Sequence, residues 1–229
     1  MRRDWDRRAR ENARHYVVTG QREWSDEEFY ESGEVTMRED ILDDLGNICQ
    51  GKDPKQMTVL ESGCGAGRVT RAFAAFFGQV YAVDISREMV RRARRAVAGY
   101  PNAHVLRNNG TDLSVLRPGW WRRLVSGRVG AGRQPEFDFA FSTLVFQHIP
   151  SRQIIENYVR DVGALLRPGA LFKFQVQGCA AVEAGSEDSW VGVSFSEEEA
   201  RRMASRCGFD MKYQYGAGSQ YYWIWFFKR

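Results

Sequence analysis

Apolar residues recur along the chain with two different periods, and the alternation of these periods predicts the fold. From residue 57 onward, short continuous apolar runs, which are typical of buried strands, alternate with segments in which apolar residues return every three or four positions, as on one face of a helix. The expected strands are residues 57–60, 80–83, 104–106, 137–143, 170–177, 211–215 and 221–227. Strands that alternate with helices favour an α/β fold with a parallel, doubly wound sheet.

The two C-terminal strands are predicted to form an antiparallel hairpin across Gly216 to Gly218. Residues 221–227 read Y-Y-W-I-W-F-F, which is too apolar for an exposed sheet edge, because such an edge promotes aggregation. We therefore expect the hairpin to close the parallel sheet and its last strand to be buried.

Residues 1–52 carry no strand pattern, and we expect them to form a helical cap over the strand ends of a single sheet domain at residues 53–229. An amphipathic helix is predicted at residues 2–17, where Trp5 and Tyr16 lie on the apolar stripe. Aromatic side chains in such a cap are candidates for contact with a ligand at the strand ends.

Two further helices are predicted in this cap. Ser25 followed by Glu28 is a capping box that opens the first of them. Gly33 is expected to interrupt that helix, and a third helical pattern then runs from Met37 to Gly51.

Composition and charge narrow the class of protein. The chain has 229 residues, of which 43% are apolar, and this suits one domain with a substantial core. The net charge of +4 is mild, so a nucleic-acid partner is not expected. The four cysteines (positions 49, 64, 179 and 207) form no C-x-x-C pair, and neither a disulfide framework nor a metal site is indicated.

The N-terminus lacks the apolar core of a signal peptide, and no apolar run approaches the ~20 residues of a membrane span. We therefore expect a cytoplasmic protein without a membrane segment.

The stretch from Val59 to Thr70 reads V-L-E-S-G-C-G-A-G-R-V-T and carries the candidate chemistry. Gly63, Gly65 and Gly67 follow directly after an apolar strand. Glycine at these positions lets the backbone turn with positive φ and lets a ligand approach the main chain.

Two acids flank this glycine turn. Glu61 ends the strand before it, and Asp84 ends the next strand, nineteen residues after Gly65. A carboxylate in the position of Asp84 can accept hydrogen bonds from both hydroxyls of a ribose. Strand, glycine turn, helix, strand and acid together predict a nucleoside-binding half-site.

The glycine spacing separates two cofactor classes. Dinucleotide folds use G-x-G-x-x-G, because a pyrophosphate lies over the helix N-terminus. Here the pattern is G-x-G-x-G, Arg68 follows it, and Glu61 places negative charge where phosphates would lie. A nicotinamide oxidoreductase is therefore disfavoured, whereas a cofactor with an ammonium and a sulfonium group tolerates the acid. The stretch resembles motif I, (D/E)-x-G-x-G-x-G, of the class I S-adenosylmethionine (SAM) methyltransferases.

The resemblance covers residues 57–178 and the C-terminal hairpin. N-N-G-T-D-L follows the third strand, where the family binds adenine, and F-D-F-A-F-S-T-L-V-F-Q-H-I-P resembles motif IV of small-molecule methyltransferases. The resemblance implies SAM as the cofactor and a Rossmann-like, seven-stranded mixed sheet whose last strand inserts between two others. The implied cofactor site consists of Glu61, Gly63, Cys64, Gly65, Gly67, Asp84, Ile85, Asn109, Gly110, Thr111 and Ser142, with Trp5 and Tyr16 from the cap.

The resemblance also assigns roles within this site. Glu61 would lie near the ammonium group of SAM, Asp84 would bind the ribose hydroxyls, and Ile85 would pack on the adenine face. Asn109 stands where the family usually has an acid, and its amide oxygen can still accept a hydrogen bond from the adenine amino group. The Gly110 N–H would donate to the ring, and Ser142 would lie beside the methyl group.

A general base is optional in such a reaction, because the sulfonium leaving group needs no proton. His148 follows the motif IV strand and is the candidate catalytic residue, since a histidine titrates near neutrality. The alternative is a structural histidine that satisfies backbone groups in the turn into the next helix.

The expected function is methyl transfer from SAM to an O or N atom of a small molecule, such as a specialised metabolite. Residues 117–134 look like an insertion rich in glycine and arginine, with Trp120 and Trp121, and this leaves an RNA methyltransferase as an alternative. A non-catalytic scaffold with the same fold is a second alternative, because no compulsory base is identified. The oligomeric state stays open, with a homodimer as one option.

Overall fold

Seven strands form one sheet in the part of the chain that the computed structural model describes, residues 1–117, 136–179 and 190–229. The strands are β1 Thr58–Ser62, β2 Gln79–Asp84, β3 Ala103–Arg107, β4 Phe137–Ser142, β5 Leu166–Val176, β6 Phe209–Tyr215 and β7 Tyr222–Lys228. Their spatial order is β3-β2-β1-β4-β5-β7-β6. The first five strands are parallel, and β7 runs antiparallel to both of its neighbours. The predicted seven-stranded mixed sheet is confirmed.

The last strand lies inside the sheet, between β5 and β6, as predicted. Tyr222, Ile224 and Phe226 alternate along β7 and are fully buried on one face of the sheet. Pairing along both edges satisfies the backbone groups of this apolar strand, so it does not present the exposed edge that would promote aggregation.

Helices cover the sheet and begin where the capping residues predict. They are α1 Arg2–Val17, α2 Asp26–Thr36, α3 Leu45–Cys49, α4 Arg68–Phe76, α5 Arg87–Ala96, α6 Arg152–Leu165 and α7 Glu197–Cys207. Ser25 and Ser196 each form a complete capping box with the glutamate three residues later. Each box satisfies two backbone N–H groups that the helix leaves without a partner.

Gly33 does not interrupt the second helix, and that prediction is wrong. Helix α2 continues through it to Thr36, and a π-helical turn, Met37–Ile41, follows. A Cβ atom on Gly33 would lie 2.3 Å from the carbonyl oxygen of Arg68. The glycine therefore allows the backbones of α2 and α4 to approach each other, which propensity arguments alone cannot reveal.

Helix α1 contains a break that was not predicted, and two of the predicted strands start earlier than expected. Helix α1 contains a break at Asn12, where φ is −160° and ψ is 84°. Strand β5 starts at Leu166, before the predicted turn, because Leu166 pairs with Phe137 ahead of an irregularity in the register. Strand β6 starts at Phe209, two residues before its predicted start.

The N-terminal helices pack directly on the sheet domain. Ala9, Ala13 and Phe29 share one buried apolar cluster with Ala66 and Met89, which belong to the glycine turn and α5. Helix α1 thereby lies next to the carboxyl ends of the parallel strands. The division into a cap at 1–52 and a domain at 53–229 stays a prediction.

Candidate active site

The glycine turn connects β1 to α4 in the predicted conformation. The φ angles of Gly63, Gly65 and Gly67 are 85°, 51° and 90°, a region that strongly favours glycine. A Cβ atom on Gly63 would lie 2.2 Å from Val145, and one on Gly65 would lie 2.7 Å from Val17. Both side chains therefore rest directly on the turn.

Gly67 has a different environment. A Cβ atom there would lie 2.9 Å from the Cα atom of Ala93. This glycine lets α4 pack closely on α5. Unlike Gly63 and Gly65, it does not line the cavity described next.

A cavity that is open at its mouth lies between the glycine turn, the carboxyl ends of β2 and β4, and α1. We call it the glycine-turn cavity. Ligands of open α/β sheets bind at this edge of the sheet. The predicted residues that line it are Trp5, Tyr16, Glu61, Gly63, Cys64, Gly65, Asp84, Ile85 and His148.

Asp84 links the glycine turn to the end of β2. Its Oδ2 accepts a hydrogen bond from the Gly65 N–H (2.9 Å), and its Oδ1 accepts one from the Ser86 N–H (2.8 Å). Burial outweighs these bonds and raises the pKa of Asp84 to about 6.

Glu61 is a second buried carboxyl group on the same cavity. Its Oε2 accepts a hydrogen bond from the Thr70 hydroxyl (2.5 Å). Burial raises its pKa to about 7, while the hydrogen bond from Thr70 and the charge of Arg68 act in the opposite direction. Two carboxyl groups and one guanidinium thus surround the cavity, and the second carboxyl group favours a ligand that carries positive charge.

Four buried side-chain polar atoms have no hydrogen-bond partner in the described part of the chain. They are Ser62 Oγ, Arg68 Nε, Asn108 Oδ1 and Gln177 Oε1. The first three residues line the glycine-turn cavity. Folded proteins leave few such atoms without partners, because each costs about 1–3 kcal/mol. A polar ligand in this cavity would satisfy them.

Asn108, and not Asn109, lines the cavity. Its Nδ2 donates to the Tyr158 hydroxyl (2.6 Å), which leaves Oδ1 without a partner. The Asn109 Oδ1 accepts from the N–H groups of Thr111 (2.7 Å) and Asp112 (3.0 Å), so this side chain stabilises its own loop.

Gly110 and Thr111 also lie outside the cavity lining. The position of Asn108 is fixed by strand pairing. Its N–H donates to the Asp84 carbonyl (3.0 Å) and extends the β2–β3 pairing by one residue.

Ser142 is fully buried and does not line the cavity. Its hydroxyl donates to the Ser62 carbonyl (2.8 Å) and joins β4 to β1. Thr143, the next residue, lines the cavity instead. Consecutive side chains of an extended chain point in opposite directions, so Thr143 faces the cavity when Ser142 points away from it.

A chain of hydrogen bonds, the amide relay, determines the protonation of His148. The Leu144 N–H donates to Gln175 Oε1 (3.0 Å), and Gln175 Nε2 donates to Gln147 Oε1 (3.1 Å). Gln147 Nε2 therefore donates to His148 Nε2 (3.2 Å), and His148 Nδ1 donates to the Trp190 carbonyl. Because the relay starts at a backbone N–H and ends at a backbone carbonyl, the imidazole is the neutral Nδ1–H tautomer.

Burial further lowers the pKa of His148. Its Nε2 lone pair accepts from Gln147, so the relay disfavours protonation at that atom. The role of His148 as a general base stays a prediction.

An aromatic cluster joins α1 to this region. The ring of Trp5 lies 5.3 Å from that of His148, and the ring of Tyr16 lies 5.7 Å from that of Trp190. The buried Arg8 guanidinium lies 5.2 Å from the Trp5 ring centre and 5.1 Å from that of Trp190. These contacts hold the cap over the strand ends.

Comparison with a family of known proteins identifies the class. A family model described as a methyltransferase domain matches residues 35–214, which is more than half of the chain. The chain belongs to this family, and the predicted resemblance to methyltransferases is confirmed.

Solved structures share the fold at low sequence identity. Magnesium protoporphyrin IX methyltransferase (ChlM) from Synechocystis PCC 6803 with bound SAH has a TM-score of 0.64 and 14% identity, over 100% of this chain and 98% of that chain. A SAM-dependent methyltransferase from Aquifex aeolicus has a TM-score of 0.55 and 19% identity, over 90% and 100% of the two chains. The DhpI–SAH complex has a TM-score of 0.55 and 17% identity, over 95% of each chain. The predicted cofactor agrees with the ligands of these proteins. Among curated proteins, none matches the sequence significantly.

No group of three or more histidines, cysteines or acids in residues 1–117, 136–179 and 190–229 is arranged to hold a metal ion. Within the same ranges, no helix is long and apolar enough to cross a membrane.

Proposed function

We propose that the protein binds SAM in the glycine-turn cavity and transfers its methyl group to an O or N atom of a small molecule. The observation that carries this proposal is the set of three unpartnered polar atoms, Ser62 Oγ, Arg68 Nε and Asn108 Oδ1, beside two buried acids. SAM has an ammonium, a sulfonium, a carboxylate and an adenine, and it matches both the charges and the hydrogen-bonding capacity of this lining.

Each part of SAM has a candidate partner. Glu61 would attract the ammonium group, and Arg68 Nε would donate to the carboxylate. Asp84 would accept from the ribose hydroxyls, and Ile85 would pack on the adenine. We assign to Asn108 the role predicted for Asn109, because Asn108 lines the cavity and its amide oxygen, which has no partner, can accept a hydrogen bond from the adenine amino group.

The protein contributes alignment and exclusion of water. When bound, SAM would supply an electrophilic methyl group for the acceptor's lone pair, with the sulfur as leaving group and the acceptor's proton released to solvent or a base. Val17 and Tyr16 of α1 line the cavity and would keep water from the reacting atoms. Such positioning accounts for much of the rate enhancement in a reaction that needs no acid.

Calorimetric titration with S-adenosylhomocysteine (SAH) tests the proposal. We expect micromolar binding to the unchanged protein and, for Asn108→Ala, about fivefold weaker binding, because one hydrogen bond is worth about 1 kcal/mol. Asn109→Ala is the matched control, and we expect its affinity to stay within about twofold, as for a loop residue outside the cavity. No binding at tens of micromolar SAH, or the larger loss in Asn109→Ala, would contradict the proposal.

The two alternative functions, an RNA methyltransferase and a non-catalytic scaffold, are tested by separate experiments. The RNA methyltransferase was favoured by the insertion at 117–134, of which residues 118–134 lie outside the described residues. Binding of RNA that weakens steeply with salt would support it. Turnover of any acceptor would eliminate the non-catalytic scaffold. A cytoplasmic location and a homodimer stay predictions.

A further inference from the structure

A second cavity lies beside the first and has no ionisable carboxylate, ammonium or guanidinium among the described residues that line it. We call it the amide cavity, after Gln147, Gln177 and Gln220 in its lining. We propose that it binds the methyl acceptor, that the acceptor is an uncharged aromatic or apolar molecule with an O–H or N–H group, and that Gln177 accepts a hydrogen bond from that group. This inference rests on the proposed function.

The two cavities share a wall. Tyr16, Val17, Leu144 and His148 line both of them. A molecule in the amide cavity therefore lies next to the cavity assigned to SAM, as an acceptor must for direct methyl transfer.

Gln177, whose Oε1 is the fourth unpartnered polar atom of the described chain, lines this second cavity. Gln177 is 5% exposed and lines it, and the oxygen accepts no hydrogen bond. The backbone of Gln177 is fixed, because its carbonyl accepts from the Phe195 N–H (2.8 Å) and it forms a bridge with Ser194. A donor group on a ligand would remove the cost of this buried, unpartnered oxygen.

The lining also explains why the ligand would be neutral. Its polar groups are amides, hydroxyls and the neutral imidazole of His148, and its rings are Tyr16, Trp190 and Tyr221. Placing a charged group in such a cavity costs more than placing a neutral one, because no carboxylate, ammonium or guanidinium is found among the described residues of its lining. The aromatic rings provide apolar surface for a planar molecule.

Binding of three matched probes tests this proposal. The protein is first saturated with SAH, and 2-naphthol, 2-methoxynaphthalene and 2-naphthoate are then titrated. The first probe has a hydroxyl donor, the second lacks the donor, and the third is an anion. We expect 2-naphthol to bind at least about tenfold more tightly than either of the others, because a site built for a hydrogen-bond donor discriminates against analogues that lack it.

Variants of Gln177 identify the residue responsible. Gln177→Leu should reduce the preference for 2-naphthol over 2-methoxynaphthalene to about twofold or less, since the accepting oxygen is removed. Gln177→Glu retains an acceptor and should keep the preference. Gln153→Leu, an exposed glutamine on α6, is the control and should resemble the unchanged protein. SAH affinity is measured for every variant and should not change.

The outcomes separate this proposal from the preceding one. Failure of SAH to bind would contradict the assignment of the SAM site. Normal SAH binding with no binding of 2-naphthol, with equal binding of all three probes, or with tighter binding of 2-naphthoate would overturn the assignment of the amide cavity. An unchanged preference in Gln177→Leu would overturn the role of Gln177.

Discussion

The glycine-turn cavity and the amide cavity share a wall, but different polar groups line them. Glu61, Asp84 and Arg68 bring ionisable groups to the first, whereas the second has amides, hydroxyls and a neutral imidazole. The first depends on a main-chain turn that needs glycine, and the second depends on side chains aligned by the amide relay. Under the two proposals, one sheet edge would hold a charged cofactor and a neutral acceptor, because Glu61 and Asp84 lie at the ends of β1 and β2 whereas Gln177 follows β5.

The relay has a structural consequence at the shared wall. Leu144 has a φ of 58°, which is uncommon for a residue with a branched side chain. The hydrogen bond from its N–H to Gln175 stabilises this conformation. The orientation of a residue that touches both cavities is thus coupled to a glutamine on β5.

The largest expected effect is a loss of ligand affinity in the glycine-turn cavity without a change in the amide cavity. Asp84→Asn should weaken SAH binding by about 100-fold, because it removes the carboxylate that holds Gly65 and would hold the ribose. The preference of the SAH-free protein for 2-naphthol should not change. Calorimetric titration of both ligands measures the two effects.

Asp138→Asn is the matched control, because Asp138 is also a buried carboxylate but pairs with Lys52 (2.8 Å) and Arg167 (3.0 Å) at the opposite end of the sheet. It should lower the free energy of unfolding without changing SAH affinity. Equal SAH affinity in Asp84→Asn and the unchanged protein would contradict the role of Asp84.

The second expected effect is a smaller change in affinity, and it concerns the amide cavity and not the glycine-turn cavity. Gln175→Leu leaves the Leu144 N–H and Gln147 Oε1 without partners, so we expect the free energy of unfolding to fall by about 2 kcal/mol. The affinity for 2-naphthol should fall by about tenfold, because the shared wall loses its alignment. SAH affinity should change by less than about threefold. Urea unfolding and titration provide the measurements, and a loss confined to SAH would contradict the separation of the two cavities.

The smallest expected change in affinity accompanies a change of pH, which also alters stability. Since burial raises the pKa of Glu61 to about 7 and that of Asp84 to about 6, the native state holds protons that the unfolded state has already released. The ligand-free protein should therefore lose stability as pH rises from about 4 to 7, and the loss should level off above that range.

SAM binding should have the opposite slope, because ionised acids attract its positive charge. We expect the affinity to rise by about threefold between about pH 6.5 and 7.5, where Glu61 ionises. Glu61→Gln should flatten this rise, and Glu27→Gln, on the exposed surface of α2, should leave it unchanged. A rise that persists in Glu61→Gln would assign the titration to another group.

Local sequence signals were sufficient to bring together part of the lining of the glycine-turn cavity. Gly63, Gly65, Glu61 and Asp84 lie at the ends of two adjacent strands, and strand–turn–helix patterns bring such residues together by local geometry alone. At the next strand the same patterns selected Asn109, whereas Asn108 lines the cavity. Asn108 and Asn109 are identical in type, and only the pairing of β3 with β2 decides which one faces the cavity.

The amide relay could not be predicted in this way. Gln147 and Gln175 are 28 residues apart and belong to no periodic pattern, and Gln177 resembles any polar residue at a strand end. The prediction for Gly33 was wrong for a related reason. The glycine is needed because the backbone of Arg68, on another helix, lies close to it.

By itself, the order of apolar and polar residues determined the α/β class, the glycine turn, the acids beside it and the burial of the last strand. These features depend on the periods of helices and strands and on the φ angles that glycine permits, which are properties of short segments. The tertiary structure alone decided which asparagine lines the cavity, which tautomer His148 adopts, and where the amide cavity lies. Hydrogen-bond partners and cavity walls come from residues that are distant in the chain, and only packing brings them within contact distance.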